Sequence, residues 1–451
     1  MTEEAEQLGE ALAAAVANGE REQLRTLIEG LHPADLTTAL DGHEPEVAWR
    51  TLAELSADDR AEAFGYLDPE RQIELAQHLD RRQLAHVFRY MPADERVDLF
   101  QRLSPEQQDE LLPSLAQAER DDIRRLASHE EGTAGAIMTS EYATLAPELT
   151  ATESIERLRR EAPDKETIYQ AYVVDAQRRL LGTVSLRDLI VARGSTRVSE
   201  LMTTEVIALP ASAGRDEAAT LISRYDLIAL PIVDEQERLI GIVTYDDAMD
   251  VAEAEATEDF DRIGAVNTLD TSVRAADIQL LYRKRIVWLV ILVFANALSG
   301  TGIAAFEETI TAHVALVFFL PLLIASSGNA GAQAATLTVR ALATGDVQLS
   351  DWGRMLAREL CVALLLGITM AFAVSLLGFV RTGPEIALVA ALTMVSVVVL
   401  GSLLGMSLPF VLERFRLDPA TASAPLVTSL ADICGVVIYF WIASRLLPAV
   451  A

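Results

Sequence analysis

The chain has 451 residues, 51% of them hydrophobic, with a formal net charge of -29 and a mean hydropathy of +0.25. The charge is lopsided: from Arg283 onward ten Lys and Arg face nine Asp and Glu, so an acidic soluble part precedes a neutral apolar one. So acidic a part argues against nucleic acid and anionic lipid as partners and favours counter-cations. Cys361 and Cys434 fall in apolar stretches, which leaves neither a disulfide framework nor a cysteine zinc site, and the acidic opening MTEEAEQLGE lacks the pattern of a signal peptide.

Residues 1–130 read as helical and repetitive. Leu31, Leu55, Leu67, Leu79, Met91, Leu103 and Leu115 fall on a twelve-residue lattice. Cap or turn residues commonly follow (Ser56, Asp68, Asp80, Ser104), and Pro33, Pro69, Pro92 and Pro105 suit a helix's first turn. Short helix–turn units bury their apolar sides by stacking on neighbours, so the expectation is an α-helical superhelix. His32, His43, His78, His86 and His129 lack ligand spacing and read as ordinary surface or core residues.

Residues 131–252 contain a duplication. AIMTSEYATLAP parallels ELMTTEVIALPA, and YVVDAQRRLLGTVSLRDL parallels PIVDEQERLIGIVTYDDA. Each copy reads as a strand, a turn, a second strand after Gly182 or Gly241, and a helix opened by Ser185 or Thr244. The duplication, with its two G-x-V-[ST]-x-x-D signatures, resembles a tandem pair of CBS domains, an α/β regulatory module. That resemblance implies ATP as a ligand, with Ser185, Arg187 and Asp188 at the ribose and phosphates; Ser185 also reads as a simple helix cap. The positions expected to clamp adenine carry Gln170 and Leu227.

The stretch Asp246–Asp261 holds eight carboxylates and no basic residue. Asp246, Asp250, Glu253 and the pair Asp247, Glu258 recur at helical spacings, which sets like charges on shared faces. A helix there calls for bound cations; a solvated acidic linker is the other reading. Residues 253–282 form an acidic connector, helical over 265–282, that leads to Arg283, Lys284 and Arg285 and a transmembrane domain at 283–451. Five apolar spans are expected, at about 286–306, 313–339, 360–380, 386–412 and 422–444. Arg340, Arg354, Arg358, Arg414 and Arg416 flank them on one side, against Arg381 and Arg445 on the other, which puts the N-terminal half in the cytoplasm and the C-terminus outside.

Within the last span sits one ionisable residue, Asp432. A carboxylate at that depth costs about 2.5–3.5 kcal/mol on insertion scales and is a functional candidate by default. Pro425, Ser429 and Asp432 share a helical face, with Thr428 nearby, and oxygen ligands along one stripe suit a hard cation. The second span carries ASSGNAGAQAATL, in which Asn329, Gln333 and Thr336 form another polar stripe; helix-packing glue is the bland reading. Together the stripes suggest two helices lining one pathway. Five spans do not obviously enclose a pore, so a symmetric homodimer about the pathway is the economical inference. A second carboxylate, which an intramembrane aspartyl hydrolase would need, is missing from the span set, and the chain reads as no enzyme.

The order of parts resembles the MgtE family of magnesium channels and transporters. IASSGNAGAQAATL, TYDDAMDVAEAEATEDFDRIGAV and APLVTSLADICG carry the likeness. It implies a homodimer in the cell (inner) membrane that admits Mg2+ through a pore at Asp432, with Thr428, Ser429, Ala424, Asn329 and Gln333 beside it. It also implies closure by intracellular Mg2+ at Asp226, Asp247, Asp250, Glu255, Glu258, Asp259 and Asp418. Ala332 and Ala424 depart from the family pattern, which has Asn at both. The alternative is a proton- or sodium-coupled divalent cation transporter that also takes Co2+ and Mn2+.

Overall fold

A computed structural model of the chain describes residues 3–264 and 276–447. It divides into two compact units, Met1–Glu253 and Ala254–Ala451. Among the described residues the first unit opens with ten α-helices: α1 Glu3–Asn18, α2 Arg21–Ile28, α3 Pro33–Leu40, α4 Pro45–Leu52, α5 Ala57–Gly65, α6 Pro69–His78, α7 Arg81–Tyr90, α8 Ala93–Arg102, α9 Pro105–Leu111 and α10 Gln117–Leu126. Packing runs mainly between alternate helices, α3 with α5 and α5 with α7 on one side, α4 with α6, α6 with α8 and α8 with α10 on the other. That is the stacked pattern of a superhelix.

The twelve-residue lattice marks helix ends. Leu79, Met91 and Leu103 are the C-cap residues of α6, α7 and α8, all buried, so each unit closes by dropping an apolar side chain into the core just before the next cap. Ser56, Asp80 and Ser104 accept backbone N–H bonds at their helix starts, whereas Asp68 precedes α6 without such a bond. Pro33, Pro69 and Pro105 open helices; Pro92 is instead the N-cap residue of α8. His32 is a cap as well, its Nδ1 accepting from the Ala34 N–H at 3.2 Å.

The duplicated region builds two matching sheets. β1 Tyr142–Leu145, β2 Thr167–Val174 and β3 Leu180–Ser185 form the first; β4 Leu209–Pro210, β5 Ala229–Val233 and β6 Leu239–Thr244 form the second. In each, the first strand pairs parallel and the hairpin antiparallel. The helices are α11 Ala151–Glu161, α12 Leu186–Val191, α13 Val198–Leu201, α14 Arg215–Tyr225 and α15 Tyr245–Ile263. Arg178 and Glu237, equivalent in the two hairpin turns, both take positive φ. The copies interlock crosswise. Thr139 bridges to Ile242 and Thr203 to Thr183, so the M-T motif of each copy lies on the second hairpin strand of the other. A Cβ on Gly182 would meet Met202 and the Thr203 carbonyl oxygen, and one on Gly241 would meet Met138. The two glycines of the signature are therefore the seats of the two methionines.

The acidic run is helix, not linker: α15 takes in all of it. Residues 265–275 of the expected connector helix lie outside the described residues, and residues 278–282 already belong to the first apolar helix. The second unit holds α16 Ile278–Ala304, α17 Glu307–Ala312, α18 Leu320–Ala343, α19 Trp352–Thr382, α20 Pro384–Arg414 and α21 Ala424–Leu446. Five helices among the described residues, all of these except α17, are long and apolar enough to cross a bilayer. α20 is central, packing on α18, α19 and α21. Small residues let α18 and α20 approach closely: a Cβ on Gly401 would strike the Ser327 carbonyl, and one on Gly405 the backbone of Gly331. The Ser327 hydroxyl donates across that seam to the Val397 carbonyl at 2.8 Å.

Candidate ion pathway and regulatory carboxylates

α21 starts behind Ser423, its N-cap residue, with Pro425 in the first turn. Asp432 lies on this helix, half-buried, and its Oδ1 is buried with no hydrogen-bond partner. Among the described residues no basic side chain pairs with it. Ser429 is buried and Thr428 half-buried on the same helix. The Thr428 side chain occupies the space a Cβ on Gly328 would need, which sets α18 against α21 one turn from Asp432. On α18, Asn329, Gln333 and Thr336 are exposed on the surface of the single chain; Ala332 of α18 and Ala424 at the start of α21 are partly buried. The Thr336 hydroxyl is occupied, donating to the Ala332 carbonyl at 2.9 Å. A polar stripe on the outer face of an apolar helix does not suit hydrocarbon; water or a second polar surface does.

A second acid, Glu359, lies on one of the long apolar helices. The expected third span opens at residue 360, whereas α19 begins at Trp352, so Glu359 lies inside the helix, hydrogen-bonded to the buried Ser402 of α20. The adjacent charges of Arg358 and Glu359 lower the local hydropathy, so a hydropathy criterion opens the span after them.

The first unit gathers a second group of carboxylates. Asp94 and Glu95 at the start of α8, Glu166 before β2 and Asp247 in α15 face one another. Burial, and then mutual repulsion, holds Asp94 well above the carboxylate range and lifts Glu95 from 4.5 to about 8. Glu166 and Asp247 are likewise raised, first by burial. Asp94 Oδ1 and Glu95 Oε2 are buried without partners. Asp247 also accepts from the Thr244 backbone N–H at 3.3 Å. Arg96 pins the edge of the seam, donating to the Met91 carbonyl at 2.6 Å and to Glu141 at 3.2 Å. Among the described residues no three such side chains already stand as a metal-ligand set. The donor chemistry nonetheless fits a hard divalent cation, which would replace protons on crowded oxygens. No spacing in sequence links Asp94 or Glu166 to Asp247; folding alone unites them.

Other expected residues stand apart from that group. Asp226 is exposed and takes positive φ at the end of α14. Asp250 and Asp259 are raised by burial on α15, which also carries Glu255 and Glu258. Asp418 sits in the second unit, ahead of α21, and pairs with Arg262. Ser185 caps α12, accepting from the Asp188 N–H at 3.0 Å while its hydroxyl donates to the Asp188 carboxylate at 2.6 Å; Arg187 is exposed beside them. Capping is thus the role these two side chains fill, and their edge remains open to solvent.

Fold and site together define a polytopic membrane transport protein bearing a helical domain and a CBS pair. Family models agree part by part: a divalent cation transporter domain over residues 320–442, an intracellular MgtE N domain over 31–132, and CBS domains over 134–195 and 198–254. The chain is 39% identical to the magnesium transporter MgtE of Thermus thermophilus over 99% of this chain and 100% of that protein. It is 32% identical to the magnesium transporter MgtE of Bacillus subtilis, covering 95% and 94%. Its fold also matches the crystal structure of the cytosolic domain of the Mg2+ channel MgtE in complex with ATP, with TM-score 0.52 and 38% identity, over 54% of this chain and 99% of that one. The chain belongs to the MgtE family; it is a membrane transporter and not an enzyme, with its N-terminal domain in the cytosol.

Proposed function

We propose that the chain forms a Mg2+ channel: a homodimer in the cell (inner) membrane, C-terminus outside, that admits Mg2+ and is shut by intracellular Mg2+. The observation that carries this reading is Asp432, a membrane-depth carboxylate with a buried, unpartnered oxygen and no basic partner among the described residues. Mg2+ sheds water reluctantly, so Asp432 acts on a hydrated ion, with Thr428 and Ser429 on the same helix and Asn329 and Gln333 from α18. The α18 stripe, exposed on one chain, supports a second copy completing the conduit, with Ala424 and Ala332 as small residues beside it. An inside-negative potential supplies about 2.3 kcal/mol per charge per 100 mV, doubled for a divalent ion, so no coupling ion is required.

Closure works through cation bridging. At high cytosolic Mg2+ the ion neutralises Asp247 with its neighbours Asp94, Glu95 and Glu166, while Asp226, Asp250, Glu255, Glu258, Asp259 and Asp418 offer further carboxylates. At low Mg2+ their repulsion opens the seam, a two-state element biased by cation binding. ATP binds at the exposed edge of the CBS pair near Ser185, Arg187 and Asp188. The test is Mg2+ flux into liposomes holding the purified protein. Asp432→Ala abolishes it in this reading, and uptake follows voltage; undiminished flux, or uptake that tracks a proton or sodium gradient, would overturn the channel assignment.

A further inference from the structure

The last turn of α15 carries one cation among its acids, Arg262, and the fold gives it a place. Its guanidinium pairs with Glu258 one turn back on the same helix and, through its other terminal nitrogen, with Asp418. Asp418 is not a free loop acid. Its Oδ1 accepts from the Ala420 N–H at 2.7 Å and so caps the short turn Pro419–Thr421 that runs into Ser423, the residue opening α21. Beside the ion pairs, Ile263 packs against the cluster of Val339, Ala420 and Ala422, with Leu408 and Leu412. One side of the contact is thus charged and the other apolar, and both end on the segment that leads into the helix bearing Asp432.

Geometry decides what Arg262 does there. A guanidinium offers two forks, so one fixed positive charge serves two carboxylates that would otherwise repel each other. A bridging divalent ion does the same work, but only at a concentration the cell supplies. Arg262 is tethered next to the apolar contact of Ile263 and is present at any concentration. We propose that Arg262 is a built-in counter-cation, an autoinhibitory latch that holds the end of α15 on the approach to α21 when no free Mg2+ is bound. The latch rests on the gated-channel reading given above, and it sets how far cytosolic Mg2+ must fall before the pathway opens.

The contact itself is measured without reference to transport. In full-length protein with Cys361 and Cys434 replaced by Ser, Gly264→Cys and Leu417→Cys place thiols at two exposed positions flanking the ion pairs. A short bifunctional thiol reagent in EDTA links them efficiently when Arg262 is present. Arg262→Gln lowers the yield at least fivefold, and the exchange Arg262→Asp with Asp418→Arg restores it. In liposomes with nominally Mg2+-free lumen on the cytosolic side, Arg262→Gln raises initial Mg2+ flux severalfold. An unchanged crosslinking yield in Arg262→Gln overturns the latch, as does a lost yield with unchanged flux. A parent protein that crosslinks but carries no Mg2+ at any concentration instead defeats the channel reading.

Discussion

Tyr439 lies fully buried in α21 and donates its hydroxyl to the Leu316 carbonyl at 2.8 Å, across more than a hundred residues of chain. Leu316 belongs to the 3-10 turn Val314–Phe318, whose carbonyls have few helical partners. Tyr439→Phe leaves that oxygen with the Phe319 N–H alone and is expected to cost about 1 kcal/mol of folding stability, read as a lower unfolding midpoint in detergent. Glu95 shows the reverse case, a polar group that the fold does not satisfy. Its carboxyl is lifted from 4.5 to about 8, first by burial and then by Glu166 and Asp247, so the folded state holds a proton that the unfolded chain releases. An acid raised in this way stabilises the fold below pH 4.5, and that contribution is lost as pH climbs to about 8. In EDTA, amide hydrogen exchange in α8 should therefore quicken from pH 6 to pH 8 beyond the intrinsic change. Mg2+ should restore protection more at pH 8, where fewer protons compete for the oxygens. Equal restoration at both pH values would count against cation binding at this seam.

At the scale of elements, the two glycines of the repeated signature are seats for methionines of the opposite repeat. A Cβ on Gly182 would lie 2.8 Å from the Thr203 carbonyl oxygen, which is backbone, and 3.1 Å from Met202 Sδ. On Gly241 the obstacles belong to the Met138 side chain, which can move. Gly182→Ala is therefore expected to destabilise the CBS pair more than Gly241→Ala, by about 1–3 kcal/mol against less than that. Urea unfolding followed by intrinsic fluorescence gives the comparison. In the membrane unit the corresponding seam is tighter. A Cβ on Gly405 would come within 2.0 Å of the Gly331 carbonyl oxygen, so Gly405→Ala must push α20 from α18 and should abolish a monodisperse protein in detergent.

For the whole molecule, charge is the governing quantity. The acidic first part is compact although all of the net charge of -29 arises in it, and its repulsion concentrates where α8, β2 and α15 meet. Monovalent salt only screens such repulsion, over about 8 Å at 0.15 M, whereas a divalent ion can sit between carboxylates. Millimolar Mg2+ should therefore protect this seam from proteolysis far better than NaCl at equal ionic strength; equal protection would make the effect one of screening alone.

Much of this protein is written locally in its chain. The twelve-residue lattice, the caps at Ser56, Asp80 and Ser104, the duplicated hairpins and the five apolar runs each follow from patterns a few residues long, because helix ends, turns and bilayer thickness act over such distances. Asp432 stood out for the same reason, as a charge in an apolar run. What only the tertiary structure decided is which distant groups share low-dielectric space. Asp94, Glu95 and Glu166 join Asp247, Glu359 finds Ser402, and Arg262 reaches Asp418 through packing of segments up to about 150 residues apart. Burial that raises a carboxyl, or a cation that bridges two of them, depends on neighbours in space, and no period along the chain encodes those.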